Sequence, residues 1–366
     1  MDFLYQNIIK PVLFLLDPHP VHKFMTSGGE FLGRWTVTKF LTKLIFYYKD
    51  KSLEQNVAGL NFKNPIGLAA GFDYDAKLTQ ILPSVGFGFG TVGTITNMPY
   101  QGNPLPMLGR LPKSKSLMVN KGFKNKGIKV TCNKLKKLKF ENPVGVSIGR
   151  TNSLKLKTQK QSISDIVSAF KVAENYKLKT QYYELNISCP NLFGSITFYP
   201  PNNLEDLLKA TDKLNLSKPL FIKMPIEKSD KEVKQMLGVI VKHKVAGVIF
   251  GNLQKDRSDP ALYPNEVAKF PVGNFSGKPT FKRSNELIRL AYKFYGKKLI
   301  IIGCGGVFSA KDAYFKIKLG ASLVQMITGM IYEGPQVMGQ INKGLVELLK
   351  KDGFENISQA IGAANQ

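Results

Sequence analysis

Eight short apolar runs, each bounded by turn-forming residues, recur from residue 65 onward, at 65–70, 87–95, 143–148, 182–187, 220–224, 245–250, 299–303 and 323–327. Such continuous apolar runs suit strands that are covered on both faces. Between them lie segments with apolar residues at helical spacing, at 163–176, 204–214, 231–243, 284–295 and 310–319. A strand followed by a helix, repeated through one continuous region, predicts an α/β fold of the (β/α)8 TIM barrel type. The 366 residues accommodate that barrel and one smaller appended element. Ligands gather at the C-terminal ends of barrel strands, so the residues that end each run are the candidates for chemistry. A Pro/Gly-rich insertion at 99–115 and a second long loop at 255–279 fall on that same side.

Residues 1–50 have a different character. Leu4, Ile8, Val12 and Leu15 repeat near helical spacing, and Asp17-Pro18-His19-Pro20 reads as a turn and a helix start. A second apolar and basic segment, 39–48, follows Gly33-Arg34-Trp35. Neither segment reaches the ~20 apolar residues that span a bilayer. No small-residue cleavage site marks a signal peptide. Two readings fit: a helical pair lying in a membrane interface with aromatic and lysine residues at its edge, or two helices packed on the main domain.

Lys and Arg number 52 against 26 Asp and Glu, a formal charge of +26. Such an excess suits an anionic partner, nucleic acid or a membrane surface. The lysines occur in every segment rather than in one block, so most read as solvated surface, and no nucleic-acid partner is expected. Cys132, Cys189 and Cys304 are far apart and form no CxxC pair. With only His19, His22 and His243 beside them, no metal site and no disulfide framework is expected. His243 follows a helical apolar pattern and is expected to be partly exposed.

Several strand ends carry unusual groups. The fourth run closes as Asn186-Ile187-Ser188-Cys189-Pro190-Asn191, small polar residues around one thiol. Taken alone, a buried structural cysteine before a turn is the commoner explanation. The seventh run ends in Gly303-Cys304-Gly305-Gly306, and Thr328-Gly329 follows the eighth. Glycines there let backbone N–H groups approach an anion, as in barrel phosphate sites, although ordinary tight turns read the same way. The first run ends in Ala69-Ala70-Gly71-Phe72-Asp73, small enough for a flat ring to lie on the backbone. Lys223 is an isolated charge ending an apolar strand; it either snorkels to the rim or pairs with a ligand. Asn186, Asn191 and Asn252 offer directional donors and acceptors to a planar, carboxylated ligand.

Together and in this order, these motifs resemble the dihydroorotate dehydrogenases of class 2, the membrane-associated, quinone-reducing form, over nearly the whole chain. The resemblance also rests on Leu16-Asp17-Pro18, His22-Lys23-Phe24, Gly59-Leu60-Asn61-Phe62-Lys63-Asn64-Pro65, Gly93-Thr94-Ile95-Thr96, Gly102-Asn103-Pro104, Asp256-Arg257-Ser258, Ser276-Gly277-Lys278-Pro279 and residues 320–325. It implies FMN as cofactor and oxidation of (S)-dihydroorotate to orotate in pyrimidine biosynthesis, with a quinone as acceptor. It implies a helical lid at 1–50 through which quinone reaches the flavin, a barrel at 51–366, and a peripheral place on the cytoplasmic side of the cell membrane. Carried over by position, Ala70, Gly71, Thr94, Ser147, Asn186, Lys223, Gly277, Gly306, Ile327 and Thr328 should contact FMN. Asn120, Lys121, Gly122, Phe123, Asn186, Asn191 and Asn252 should hold substrate, and Cys189 takes the place of the catalytic base.

The chain departs from the class pattern at several of these positions. Cysteine stands at 189, where class 2 members usually carry serine. Tyr74 replaces a lysine, Ser147 an asparagine and Gly251 a threonine, and the 120–123 loop is one residue short. These changes keep open a related FMN barrel acting on another dihydropyrimidine or enone, or a flavin-binding paralogue without activity.

Overall fold

A computed structural model describes residues 2–194 and 196–365. Eight parallel strands close a barrel: β1 (Ile66–Leu68), β2 (Phe89–Ile95), β3 (Val144–Ile148), β4 (Tyr182–Asn186), β5 (Leu220–Lys223), β6 (Gly247–Phe250), β7 (Ile300–Cys304) and β8 (Leu323–Met326). Each strand pairs with the next, and β8 closes on β1 through Val324 opposite Ile66. All eight lie within two residues of the runs expected from the sequence. The register sets Asn186 beside Lys223 at the ends of β4 and β5, and Cys304 beside Gln325 at the ends of β7 and β8.

Helices on the outside start where the sequence supplies caps. Gln159–Asn175 begins with a Thr158/Gln161 capping box, and Asp230–Ile240 with a Ser229/Glu232 box. Their apolar faces bury against the strands: Ile166, Ala169 and Phe170 on one, Val233, Met236 and Leu237 on the other. His243, just past the second of these helices, is partly exposed as a residue, as expected, but its ring is enclosed. Its side chain is 6% exposed, with Nδ1 2.7 Å from Asp212 and Nε2 3.2 Å from Glu205.

The N-terminal end of the barrel is filled rather than open. An antiparallel hairpin, Gln55–Val57 with Leu60–Phe62, sends Val57 and Phe62 into a cluster with Phe89, Tyr182, Phe221 and Ile249. The rings of Phe62, Phe89, Tyr182 and Phe221 meet edge to face along this plug. Each buried ring contributes about 1.5–3 kcal/mol of transfer free energy. Gly67 makes the room: a Cβ there would lie 2.3 Å from the Phe89 ring. Above the plug sits a polar layer in which Gln325 donates to Thr91 and the Tyr182 hydroxyl bonds to Thr91 and Gly90. The packed interior therefore confines any ligand to the C-terminal mouth.

Two elements cover that mouth. The insertions at 99–115 and 255–279 were expected as loops, but each supplies a strand. Leu108–Leu111 and Asn274–Gly277 flank Ser116–Val119 in an antiparallel sheet. Four-residue strands among Pro and Gly carry too little periodicity to register in the sequence.

The second cover is the N-terminal region, which has three helical runs rather than a pair: residues 2–15 with a π-turn at Tyr5–Ile9, then Pro18–Leu32, then Thr36–Phe46. The middle helix was legible only as a start, where Asp17 caps the His19 N–H at 2.7 Å. Gly28-Gly29 lowers its intrinsic helix propensity. The close approach of Gly29 to Leu78, 2.4 Å for an added Cβ, is what the small residue serves. These helices bury little of their apolar surface: Phe24 is 71% exposed, Trp35 60%, Val37 69% and Leu44 67%. No helix of the described residues is long and apolar enough to cross a membrane.

Candidate active site

One cavity of about 1490 Å³, including the solvent at its mouth, occupies the C-terminal end of the barrel. Its floor is Ala69, Ala70 and Gly71 after β1, Thr94 in β2, Asn186 in β4 and Lys223 in β5. On one side lie Gly277, Cys304, Gly305, Gly306, Ile327 and Thr328. On the other lie Lys121, Gly122, Phe123, Cys189, Asn191 and Asn252. Pro18, Val21, His22 and Met25 of the middle N-terminal helix complete the wall, with Leu108, Leu117 and Val119 of the antiparallel sheet.

Most expected site residues thus meet in one place, with two exceptions. Ser147 is fully buried one layer behind the wall, where its hydroxyl donates to Glu184 at 2.7 Å and bonds to Thr94 at 2.9 Å. Asn120 is likewise buried outside the cavity lining and accepts a hydrogen bond from Asn103 at 3.0 Å. Ser147 thus bonds to Thr94, which lines the cavity, and Asn120 lies between Val119 and Lys121, which also line it.

The hydrogen bonds fix the polar side chains as a connected set. Asn186 donates to Thr94 at 2.8 Å and accepts from the Ser188 hydroxyl at 2.9 Å; Asn252 donates to Ser188 at 2.6 Å. Asn191 donates to the Val119 carbonyl at 3.0 Å and accepts from Asn274 at 2.6 Å, which ties the thiol loop to the covering sheet. Asn103 grips the Asn191 carbonyl at 3.0 Å. Ser188 and Glu184 were not singled out from the sequence. Ser188 is one residue from the thiol and links Asn186 to Asn252, while Glu184 ends the chain Asn186–Thr94–Ser147–Glu184 inside the barrel.

Charge in the cavity is mostly positive. Lys223 is 4% exposed and forms no ion pair among the described residues. Lys121 is also buried, with its ammonium 4.7 Å from the centre of the Tyr74 ring. Burial, aided by nearby Lys124, lowers its pKa to about 7. On the far side, His22 stacks on Tyr74 with centroids 5.6 Å apart. Burial holds His22 down at about 3, so the ring is neutral, and its Nε2–H donates to the Phe72 carbonyl at 2.9 Å. Burial also pushes the Cys189 thiol up to about 12, opposed by the Asn191 backbone N–H and by Lys223, Lys255 and Arg150.

The cradle at β7 and β8 is backbone-lined. Gly277 and Gly306 have φ of +86° and +70°, and a Cβ on Gly306 would lie 2.4 Å from Cβ of Phe281. The hydroxyls of Ser276 and Thr328 bond at 2.8 Å beside it. At the floor, a Cβ on Gly71 would meet only Ile327, at 3.8 Å, so the surface there is open and flat. A flat floor, amide and hydroxyl donors, one buried cation and a glycine cradle at β7–β8 suit a planar heteroaromatic ring with an anionic tail.

These features define a (β/α)8-barrel enzyme site at the C-terminal mouth, shaped for a planar ring with an anionic tail. Comparison with known proteins narrows the class. The family model for dihydroorotate dehydrogenase matches residues 52–349. The dihydroorotate dehydrogenase (quinone) of Trichodesmium erythraeum is 32% identical over 381 residues, covering 99% of each chain. That of Christiangramia forsetii is 37% identical over 352 residues, covering 94% of this chain and 99% of its own. The crystal structure of the Eimeria tenella enzyme in complex with ferulenol superposes with a TM-score of 0.81 at 27% identity, covering 96% of each chain. The chain belongs to the dihydroorotate dehydrogenase family.

Proposed function

We propose that this protein oxidises (S)-dihydroorotate to orotate in pyrimidine biosynthesis, with FMN as its flavin and a quinone as electron acceptor. The observation that carries this reading is the single cavity that gathers Asn186, Asn191, Asn252, Lys223, Cys189 and the β7–β8 glycine cradle under an apolar lid. When bound, FMN would supply the hydride acceptor for C6 of the substrate, with a quinone as the final electron acceptor.

The chain's own residues do the rest. Gly277, Gly306 and Thr328 hold the phosphate, and Ala70, Gly71, Thr94 and Ile327 bound the ring. Asn186, Asn191 and Asn252 orient the planar amide edges of the substrate, and Lys121 faces its carboxylate. Cys189 takes the C5 proton on Sγ. Lys223 supplies the positive charge that offsets the negative charge of two-electron reduction. Water is excluded by the antiparallel sheet and the helix Pro18–Leu32.

Residues 1–50 act as a lid that rests on a membrane surface and admits quinone, and residues 51–366 act as the catalytic barrel. Support comes from the exposed apolar side chains on the three helical runs and from Val21 and Met25 lining the cavity. Lys39 and Lys43 on the last run suit anionic headgroups. The protein is then peripheral, on the cytoplasmic side of the membrane. Turnover of dihydroorotate with a soluble short-chain quinone tests the activity directly. Full-length protein that bleaches its flavin with dihydroorotate but gives no electrons to any quinone would refute the acceptor assignment.

A further inference from the structure

Helix Ala310–Lys318 carries a lysine that the activity does not explain. Lys316 is fully buried, on the same face as Ala313 and Ile317. Its ammonium donates to Ser284 Oγ at 2.9 Å and to Asn285 Oδ1 at 2.8 Å, and lies 5.0 Å from the centre of the Phe281 ring. No carboxylate pairs with it among the described residues. Its three contacts lie at the start of helix Phe281–Tyr295, the end whose dipole is positive, so the backbone adds to the charge rather than offsetting it. A buried cation with only neutral partners is costly unless something anionic lies within reach.

What lies within reach is the glycine cradle. Phe281, under the ammonium, also abuts Gly306, and Thr280 abuts Gly305: an added Cβ would come within 2.4 Å of each neighbour. Ser284, which accepts from Lys316, donates to the carbonyl of Cys304 at 2.7 Å, the residue before the glycine pair. The charge therefore stands one side chain behind the cradle and is bonded to the group that fixes its backbone.

We propose that Lys316 is a positioning residue for a flavin phosphate: it fixes the β7 cradle from behind and places a buried positive charge under it. This rests on the reading that the cradle at Gly277, Gly306 and Thr328 takes the phosphate of FMN. Burial lowers the lysine's pKa to about 7, against Cys304 and Asp312, which raise it. Ser284, Asn285 and Phe281 face it from the neighbouring helix and do not titrate. Its charge is then present below pH 7 and lost as pH rises, whereas a phosphate monoester, with its second pKa near ~6, stays dianionic.

The test is a fluorescence titration of the full-length protein, stripped of flavin, with FMN and with riboflavin, between pH 6.5 and 9. Wild type should bind FMN more weakly as pH rises and show no such slope with riboflavin. Lys316→Met should lose on the order of tenfold in FMN affinity at pH 6.5, keep its riboflavin affinity and flatten the pH slope. Equal losses for the two flavins would make Lys316 a merely structural tie and overturn the proposal. Unchanged FMN affinity would overturn it as well. Wild type that binds FMN no better than riboflavin would refute the phosphate reading itself, and this inference with it. Should Lys316→Met fail to fold, Lys316→Gln, which keeps a donor toward Ser284 without the charge, replaces it: a loss confined to FMN supports the proposal, and equal losses or none overturn it.

Discussion

Replacing Cys189 by alanine gives the sharpest test of the proton-transfer step. Burial in the cavity pushes the thiol up to about 12. A base that titrates there is thiolate in only about one molecule in 10⁴ at pH 8, and that fraction grows about tenfold per pH unit. At saturating dihydroorotate, wild-type flavin bleaching should therefore climb close to tenfold per unit from pH 6 to pH 9 without a plateau. Saturation matters because Lys121 loses its charge above about 7 and weakens substrate binding in the same range. A general base contributes roughly 10²–10⁴-fold, so Cys189→Ala should fall by that factor and lose the slope. FMN should remain bound, since the cradle at Gly306 and Thr328 is untouched. Cys189→Ser should retain part of the rate, because Lys223, Lys255 and Arg150 also favour an alkoxide. Stopped-flow absorbance without oxygen reads all three proteins. A Cys189→Ala loss below tenfold, or a flat wild-type profile, would show that another group takes the proton.

Three further outcomes are expected. Lys223→Ala should keep FMN and lower its midpoint potential, read by dye-coupled redox titration; an unchanged potential places the ammonium away from the ring. Lys121→Met should raise the KM for dihydroorotate at pH 6.5 by tenfold or more and remove the rise in wild-type KM above about pH 7, because the neutral side chain has no charge to lose. Deleting residues 1–50 should abolish quinone reduction and binding to anionic liposomes while leaving flavin bleaching by dihydroorotate largely intact, and salt should weaken liposome binding of the full-length protein. Equal quinone turnover by the truncated protein would remove the basis for the lid.

The barrel was legible because its strands are buried on both faces. Runs such as Leu220–Lys223 stay apolar until a terminal polar residue that lines the cavity, so strand and candidate site appeared together. The same contrast exposed Asn186 and Lys223, polar groups ending apolar strands, whose adjacency the β4–β5 register then supplied. What stayed hidden was depth. Asn120 lies between Val119 and Lys121, which line the cavity, and Ser147 lies beside Glu184 and Thr94 in the barrel interior; sequence position alone does not separate such depths. Lys316 sits among Lys311 and Lys318 in an ordinary amphipathic helix, and only its place on the Ala313–Ile317 face hinted at burial. The helix Pro18–Leu32 was masked by Gly28-Gly29, since the gain from packing Gly29 against Leu78 is a tertiary effect with no local signature.

The most direct test of the central claim is anaerobic titration of the purified, flavin-loaded protein with (S)-dihydroorotate, followed at the flavin's visible absorption band. Dihydroorotate should bleach the band stoichiometrically and yield one orotate per flavin, and a soluble quinone should restore the colour. A flavin that dihydroorotate leaves oxidised, while another dihydropyrimidine or an enone-forming substrate bleaches it, would contradict the account.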